Sequence, residues 1–379
     1  MTTHKLISAD SHIVEPPDLY THRIEPKYRE RAPRMERMET PTGRKYDAWF
    51  IEGQQVGSLG AVMQAGQRFE DPSQIDFLGT WEDVRLGAYD PQAMIKENEM
   101  DGVWGACLQP SQGLFWYRIS DSGLLSAICR VYNDWIADFC RASPDRLKGI
   151  AMLNVDDVEE GCQELERCAK LGLVGAFIPV SPLPDRPYRH PIYERLWWTA
   201  QDVGVPLLLH IGTPRIGVPG CEFTINLDEL TGAGRSTTDY WVRYSLGAML
   251  FAGVFDRYPR LKVGSVEHEM AWIPHWLKQM DFTYRERPVF TKGWKSRRDS
   301  CRATTGAATC SWSSWRTTSV SSCGTRSAST TCSGEATSRT PSRRGRSRGS
   351  FWIGSSPERP RRTSARSPRR MPRGSSASP

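Results

Sequence analysis

The chain has 379 residues, of which 39% are hydrophobic, with 10 cysteines and a formal net charge of +7. Such a length and apolar content suffice for one large buried core. No apolar run approaches the ~18 residues of a membrane span, and Met1 to Ala9 lack a charged-then-apolar leader, so a cytoplasmic protein is expected. The charge is confined to one end: residues 296–379 hold 17 Arg, no Lys and 3 acidic residues, which leaves 33 basic against 40 acidic in Met1 to Lys295. An acidic body excludes nucleic acid and membrane as expected partners of the folded part.

Leu6 to Ser11 reads as a short strand running into Asp10, Ser11 and His12, with Glu15, Pro16 and Pro17 after it. The stretch from Val14 to about Tyr89 is rich in Pro, Gly, Arg and Glu and has weak periodicity. It reads as an insertion of short helices over the mouth of the fold. From Asp90 onward helices and apolar strands alternate. A helix over Pro91 to Met100 leads to a strand over Val103 to Leu108. Leu124, Leu125, Ile128, Val131, Tyr132, Trp135, Ile136 and Phe139 then recur at three- and four-residue steps, the stripe of a helix beginning near Ser122. The alternation continues with strand Lys148 to Val155, helix Val158 to Leu171, strand Val174 to Val180, helix Pro191 to Val203 and strand Val205 to Ile211. Helix Tyr240 to Phe255, strand Lys262 to His268 and helix Ala271 to Arg285 complete it, so the count from Leu6 is six strands, all expected to be parallel.

Near-continuous apolar strands joined by helices make a parallel sheet buried on both faces, either a barrel or a doubly wound sheet. The polar residues favour the barrel. No glycine-rich phosphate loop follows the first strand, and metal-ligand side chains gather at the carboxyl ends of several strands, where barrel enzymes build their sites. The cysteines lack paired metal spacing. Cys107, Cys129, Cys140, Cys162, Cys168 and Cys221 lie in apolar or helical contexts and read as reduced core thiols.

After Lys295 the composition breaks: from Ser296 to the end there is no Leu, one Ile and one Val. Such a segment cannot build core strands and reads as disordered. One reading is an authentic Arg/Ser-rich tail that binds nucleic acid or acidic partners. The other is a frameshift. Read one base earlier, the codons of Cys332 through Pro341 permit a text containing Trp-Gly-Ser-Asp-Phe-Pro-His-Ala, those of Asp299 through Ala308 permit Leu-Leu-Pro-Ser-Asp-Tyr-Trp-Arg-Arg, those from Trp312 permit Met-Glu-Phe-Met-Glu-Asp-Asp-Leu-Gly-Val, and those of Arg370 to Ala377 permit Glu-Asn-Ala-Ala-Arg-Leu-Phe-Gly. Four such texts in order, all in one shifted frame, favour the frameshift. The expected organisation is therefore a barrel over residues 1–295, truncated after about six strands and carrying the insertion at about 14–89, followed by a non-native tail over 296–379.

Asp10-Ser11-His12 after the first strand, Leu209-His210-Ile211-Gly212-Thr213 after the fifth, Glu267-His268 with Ala271-Trp272-Ile273-Pro274 after the sixth, and Tyr132-Asn133-Asp134-Trp135 on the early helix resemble amidohydrolase family 2. The displaced Trp-Gly-Ser-Asp-Phe-Pro-His text points the same way. The resemblance runs from Thr3 to about Lys295 and implies an α/β TIM-like (β/α)8 barrel of the metal-dependent hydrolase type. The family includes relatives of aminocarboxymuconate semialdehyde decarboxylase and resorcylate-type decarboxylases, alongside hydrolases. It implies one divalent ion, with Asp10, His12 and His210 matching its ligands and His268, or Glu267 in its place, matching the acid/base position of the sixth strand. The eighth-strand Asp has no counterpart, because its codon is split between Ala336 and Thr337.

Imidazole and carboxylate donors suit zinc first and also manganese or iron. Asp10 and His12 lie two apart on a strand and so face one side. The competing readings are a strand-end cap for Asp10 and a hydrogen-bonding neighbour for His268. His4, His22, His190 and His275 fall away from strand ends and read as surface residues; Trp197, Trp198, Trp272 and Trp276 read as packing, and Asn133 and Asp134 as helix-orienting. The fourth strand holds no Lys or Glu to bridge a second ion, so one metal is expected. The function that follows is non-oxidative decarboxylation of a small aromatic or unsaturated carboxylic acid, with metal-dependent hydrolysis of an ester, lactone or amide as the alternative. Without the eighth-strand Asp the chain as written is expected to be inactive. Assembly with further copies of the chain stays open.

Overall fold

The computed structural model describes residues 5–59, 76–215, 217, 232–291, 310–314 and 332–334. β1 (Ile7–Ile13) opens the chain, and α1 (Leu19–Arg23) follows it. Next come three antiparallel strands, β2 (Arg34–Glu39), β3 (Lys45–Ile51) and β4 (Gln54–Ser58). This small sheet corrects the expectation of short helices alone between Val14 and Tyr89. Its first strand, Arg-Met-Glu-Arg-Met-Glu, sets its two Met residues three apart and has no fully buried position, so it carries no period-2 apolar signal. Glu52 and Gly53 make its second turn with φ of 49° and 77°, the pair of left-handed residues a tight hairpin needs.

Beyond the insertion the βα units follow the expected order. α2 (Pro91–Met100) precedes β5 (Gly105–Pro110), and α3 (Gly113–Trp116) and α4 (Ser122–Cys140) lead to β6 (Leu147–Met152). α5 (Val158–Lys170), β7 (Gly175–Ile178), α6 (Glu194–Val203) and β8 (Leu207–His210) continue it. α7 (Gly232–Ser236), α8 (Tyr240–Phe251), α9 (Val254–Arg257), β9 (Val263–Val266) and α10 (Trp272–Glu286) close the regular part. The three helices α2, α4 and α5 start at the same device. Asp90, Asp121 and Asp157 each accept a hydrogen bond from the backbone N–H three residues on, which satisfies one orphan donor of the first turn. Gly204 ends α6 in the left-handed conformation, as helix C-termini favour.

β1, β5, β6, β7, β8 and β9 pair in parallel and in chain order. Their apolar residues, among them Leu108, Ile150, Ala151, Met152, Phe177, Ile178, Leu207, Leu209 and Val263, are buried on the two faces of the sheet. These are the six expected strands. Two short ones follow in the segment that the composition left without any: β10 (Cys310–Ser314) pairs with β9, and β11 (Cys332–Gly334) with β10, again in parallel. Strand pairing is made by backbone groups, and the open edge of β9 offers an unpaired row of them, so a segment poor in aliphatic side chains can still extend the sheet. The eight strands curl until β11 lies near β1. The remaining residues of the tail, and Cys221, lie outside the described residues. No helix among the described residues is long and apolar enough to cross a membrane.

Candidate metal centre

The site grows from the carboxyl ends of β1, β8 and β9. Asp10 is 3% exposed and His12 half-buried, both on β1. His12 directs Nδ1 at the carbonyl oxygen of Pro110, 2.8 Å away, and His210 directs its own Nδ1 at the carbonyl of Ile211, also at 2.8 Å. A carbonyl only accepts, so both Nδ1 atoms carry hydrogen; His210 Nε2 keeps a lone pair, and His12 Nε2, which donates to Glu267 Oε1 at 3.2 Å in the ion-free cluster, offers one once that proton is lost. The two Nε2 atoms face one point. The two rings stand edge to face with centroids 5.3 Å apart, and the donor atoms of Asp10, His12, His210 and Glu267 all lie within 4.8 Å of one another. Two atoms of this cluster, Asp10 Oδ2 and His210 Nε2, are buried with no hydrogen-bond partner. Buried polar atoms normally find partners, and two nitrogens with two carboxylates are a donor set that fits a divalent ion.

Electrostatics of the ion-free cluster show how tightly it is packed. Burial pushes the Asp10 carboxyl up to about 7, with His12 opposing and the Glu267 charge assisting. Burial would lower His12, but the hydrogen bond and charge of Glu267 together with Asp10 raise it to about 9. His210 is driven down to about 4 by burial and the neighbouring His12, against the pull of Glu267.

Of the residues expected to move protons, Glu267 stands inside the cluster: its Oε1 is 3.2 Å from His12 Nε2 and its Oε2 is 3.8 Å from His210 Nε2. His268 is 1% exposed, with Nδ1 3.1 Å from Ser265 Oγ and a buried Nε2 that has no partner. Burial and the nearby His210 lower it to about 3, so it is neutral around pH 7. Glu267 and Glu269 both take left-handed φ values, 61° and 58°, on either side of it.

Three supporting residues escaped the sequence reading. Gln109 Nε2 donates to Asp10 Oδ1 and to the Ala9 carbonyl, which fixes the carboxylate. Glu15 is fully buried and accepts from the N–H groups of Gln112 and Gly113 at 3.0 and 2.7 Å, tying the segment after β1 to the turn after β5. That turn needs glycine, because a Cβ on Gly113 would come within 2.6 Å of Met152 Sδ. Arg215 is 1% exposed; it grips both oxygens of Asp156 at 2.9 and 2.6 Å and donates to the carbonyls of Tyr117 and Ile119, stapling the loops after β5, β6 and β8. The only hint of these roles in the sequence is that charged or amide residues lie at or a few residues beyond strand ends.

The remaining candidates sit elsewhere. Asn133 is buried, bonds both backbone groups of Met152 and reaches Glu164, while Asp134 pairs with Arg167, so both brace α4. His22 and His275 are exposed, His190 caps the turn before α6, and His4 lies outside the described residues. Trp197 packs against Tyr188 and Tyr193, Trp272 against Trp276, and Trp198 is 44% exposed beneath Arg195. Cys129, Cys140, Cys162 and Cys168 are buried free thiols, their pKa values raised by burial, and Cys107 is half-buried.

A curled parallel sheet flanked by helices, with imidazoles and carboxylates converging at the carboxyl ends of its strands, is the metal-dependent hydrolase type of barrel. The chain belongs to the amidohydrolase family, whose model, described as Amidohydrolase, matches residues 112–310. It is 30% identical over 179 residues to a gamma-resorcylate decarboxylase from Polaromonas sp., covering 41% of this chain and 52% of the relative. The chain thus spans about half the length of that curated relative. In fold it resembles an amidohydrolase from Mycobacterium avium subsp. paratuberculosis, with a TM-score of 0.63 and 15% identity over 83% of this chain and 84% of that one. It also resembles a dihydroxybenzoic acid decarboxylase from Polaromonas sp. solved with bound manganese and the inhibitor 2-nitroresorcinol, with a TM-score of 0.50 and 19% identity over 83% and 80% of the two chains.

Proposed function

We infer that the protein with its reading frame restored is a metal-dependent, non-oxidative decarboxylase of a small aromatic or unsaturated carboxylic acid. The observation that carries this reading is the convergence of Asp10, His12 and His210 donor atoms from β1 and β8 onto one point. Similarity to a gamma-resorcylate decarboxylase supports the reaction class, and the manganese in the related dihydroxybenzoic acid decarboxylase supports manganese among the expected ions zinc, manganese and iron.

His12 and His210 turn their Nε2 atoms toward the ion position, each ring oriented by a backbone carbonyl at Nδ1, and Gln109 holds Asp10. When bound there, a divalent cation supplies Lewis acidity to hold a substrate carboxylate and its neighbouring oxygen. The carbon–carbon bond to the carboxyl group breaks, its electron pair stays on the ring carbon, and one proton replaces the departing carbon dioxide. His268 would take up a proton from solvent and pass it to that carbon. It is neutral before substrate arrives, and a carboxylate brought beside it raises its affinity for a proton.

The chain as written lacks the in-frame eighth-strand Asp and is expected to show no turnover. Assaying the frame-restored protein with manganese or zinc against dihydroxybenzoates should release carbon dioxide. Cleavage of esters, lactones or amides with uptake of solvent oxygen, and no carbon dioxide from any acid, would replace this reading with a hydrolase on the same donors.

A further inference from the structure

We propose that Glu267 is the fourth protein ligand of the centre, so that the chain as written holds one divalent cation through Asp10, His12, His210 and Glu267. This rests on the metal-centre reading above and deepens it, by separating a residue that holds the ion from one that moves the proton.

The two oxygens of Glu267 face different imidazoles, Oε1 toward His12 Nε2 and Oε2 toward His210 Nε2. Each Nδ1 is committed to a carbonyl, so the Nε2 atoms are the ones available to an ion: that of His210 directly, and that of His12 in exchange for the proton it now donates to Glu267 Oε1. A carboxylate placed between those two nitrogens is arranged to share a cation with them once the His12 proton is displaced. A proton carrier would instead present an oxygen to substrate. Local backbone explains how the side chain gets there. In an extended strand residues 267 and 268 would point to opposite faces. The left-handed φ at Glu267 and again at Glu269 breaks that alternation just past β9. Glu267 then turns into the cluster while His268 sits back against Ser265. Left-handed backbone is unfavourable for a residue with a Cβ, and such outliers gather where function requires them.

The donor count also resolves a conflict in the sequence. The family pattern places a carboxylate on the eighth strand, and on the frameshift reading its codon is split between Ala336 and Thr337. Glu267 supplies a second carboxylate from β9, which brings the ligand charge to −2 against a divalent ion. The expected donor set is two imidazole nitrogens and two carboxylates, complete within the described residues.

The test is metal affinity of the full chain, stripped with chelator and titrated with zinc in competition with a fluorescent chelator, and cobalt(II) visible absorption as a second readout. The unmutated chain should bind one ion. Glu267→Gln keeps the shape of the side chain and should weaken zinc by more than about 100-fold, beyond the ~10–100-fold typical of an outer-shell partner, and should change the cobalt band. Glu267→Gly is the second variant. Glycine accepts left-handed backbone without strain, so it folds where Gln does not, and it should show the same loss. His268→Gln should keep the ion. A loss below about 100-fold in whichever Glu267 variants fold would overturn the proposal. Failure of the unmutated chain to bind a stoichiometric ion, or binding that survives His12→Ala and His210→Ala, would sink the metal-centre reading itself.

Discussion

Glu52 and Glu267 share an uncommon left-handed backbone, with φ of 49° and 61°, yet their surroundings differ in every other respect. Glu52 turns an exposed hairpin of the antiparallel insertion and pairs with Arg31 in solvent. Glu267 turns the rim of the parallel sheet and faces two imidazoles in a cluster with two unpartnered buried atoms. The same contrast runs through both regions. Around the insertion most charges are paired at the surface, where an ion pair contributes about 0–1 kcal/mol. At the rim they are buried, where an unpaired charge costs several kcal/mol, so each must be clamped by protein or reserved for a ligand.

The largest effect is expected at the clamp. Arg215→Met leaves the Asp156 carboxylate, 9% exposed, without its partner, and should destabilise the fold by about 3–5 kcal/mol in urea denaturation; a change under about 1 kcal/mol would erase the distinction between rim and insertion. His210→Ala should lower zinc content to background while the circular dichroism spectrum persists, because the ring is buried and its Nε2 serves no other protein group. Retained stoichiometric zinc would break the assignment. Glu15→Gln removes the negative charge from two short backbone hydrogen bonds and should cost about 1–3 kcal/mol, with faster proteolysis after α3 as a second sign.

The pH dependence of the ion-free chain follows from opposite shifts within one cluster. His210 and His268 have folded pKa values of about 4 and about 3 against a model value of 6.5. The unfolded chain therefore binds protons that the folded one refuses, and stability is lost as pH falls below about 6.5. His12, raised to about 9, contributes stability that is complete below 6.5 and is lost as pH climbs through 9. Asp10, raised to about 7, acts in the same direction at lower pH. Denaturation midpoints should thus be highest near pH 6–7 without metal. The increment added by zinc should grow from pH 6 to 9, since binding needs His12 deprotonated; an increment that shrinks over that range contradicts the cluster. The smallest effect belongs to Glu52→Gly, expected within about 0.5 kcal/mol of the unmutated chain and with the zinc-induced stabilisation intact.

Much of the fold was legible because apolar residues follow the period of each element. The stripe from Leu124 to Phe139 falls on one helix, and the six apolar runs became the six leading parallel strands. Asp10, His12 and His210 were legible because they end such runs. The insertion was not: in β2 two Met residues lie three apart among charged residues, several of which pair with each other or with β3, so no period-2 apolar signal was there to read. β10 and β11 were hidden for a related reason, since backbone pairing leaves no side-chain signature. The placement of Glu267 depends on a left-handed φ that no residue type at 267 announces. Arg215 and Glu15 were missed because a clamp is defined by partners about 60 and 100 positions away.

Pro110 is the last residue of β5 and lies opposite Ile13 in the ladder, one step beyond the pairing of His12 with Gln109. A proline has no N–H to offer the next strand, and its carbonyl receives His12 Nδ1. The point where hydrogen bonding can no longer propagate along the sheet is thereby the point that orients a ligand ring. A one-residue slip between β1 and β5 would present a different carbonyl to His12 and turn Asp10 and His12 to the opposite face together. The accuracy of the centre is thus inherited from the alignment of two strands and cannot drift while that alignment holds.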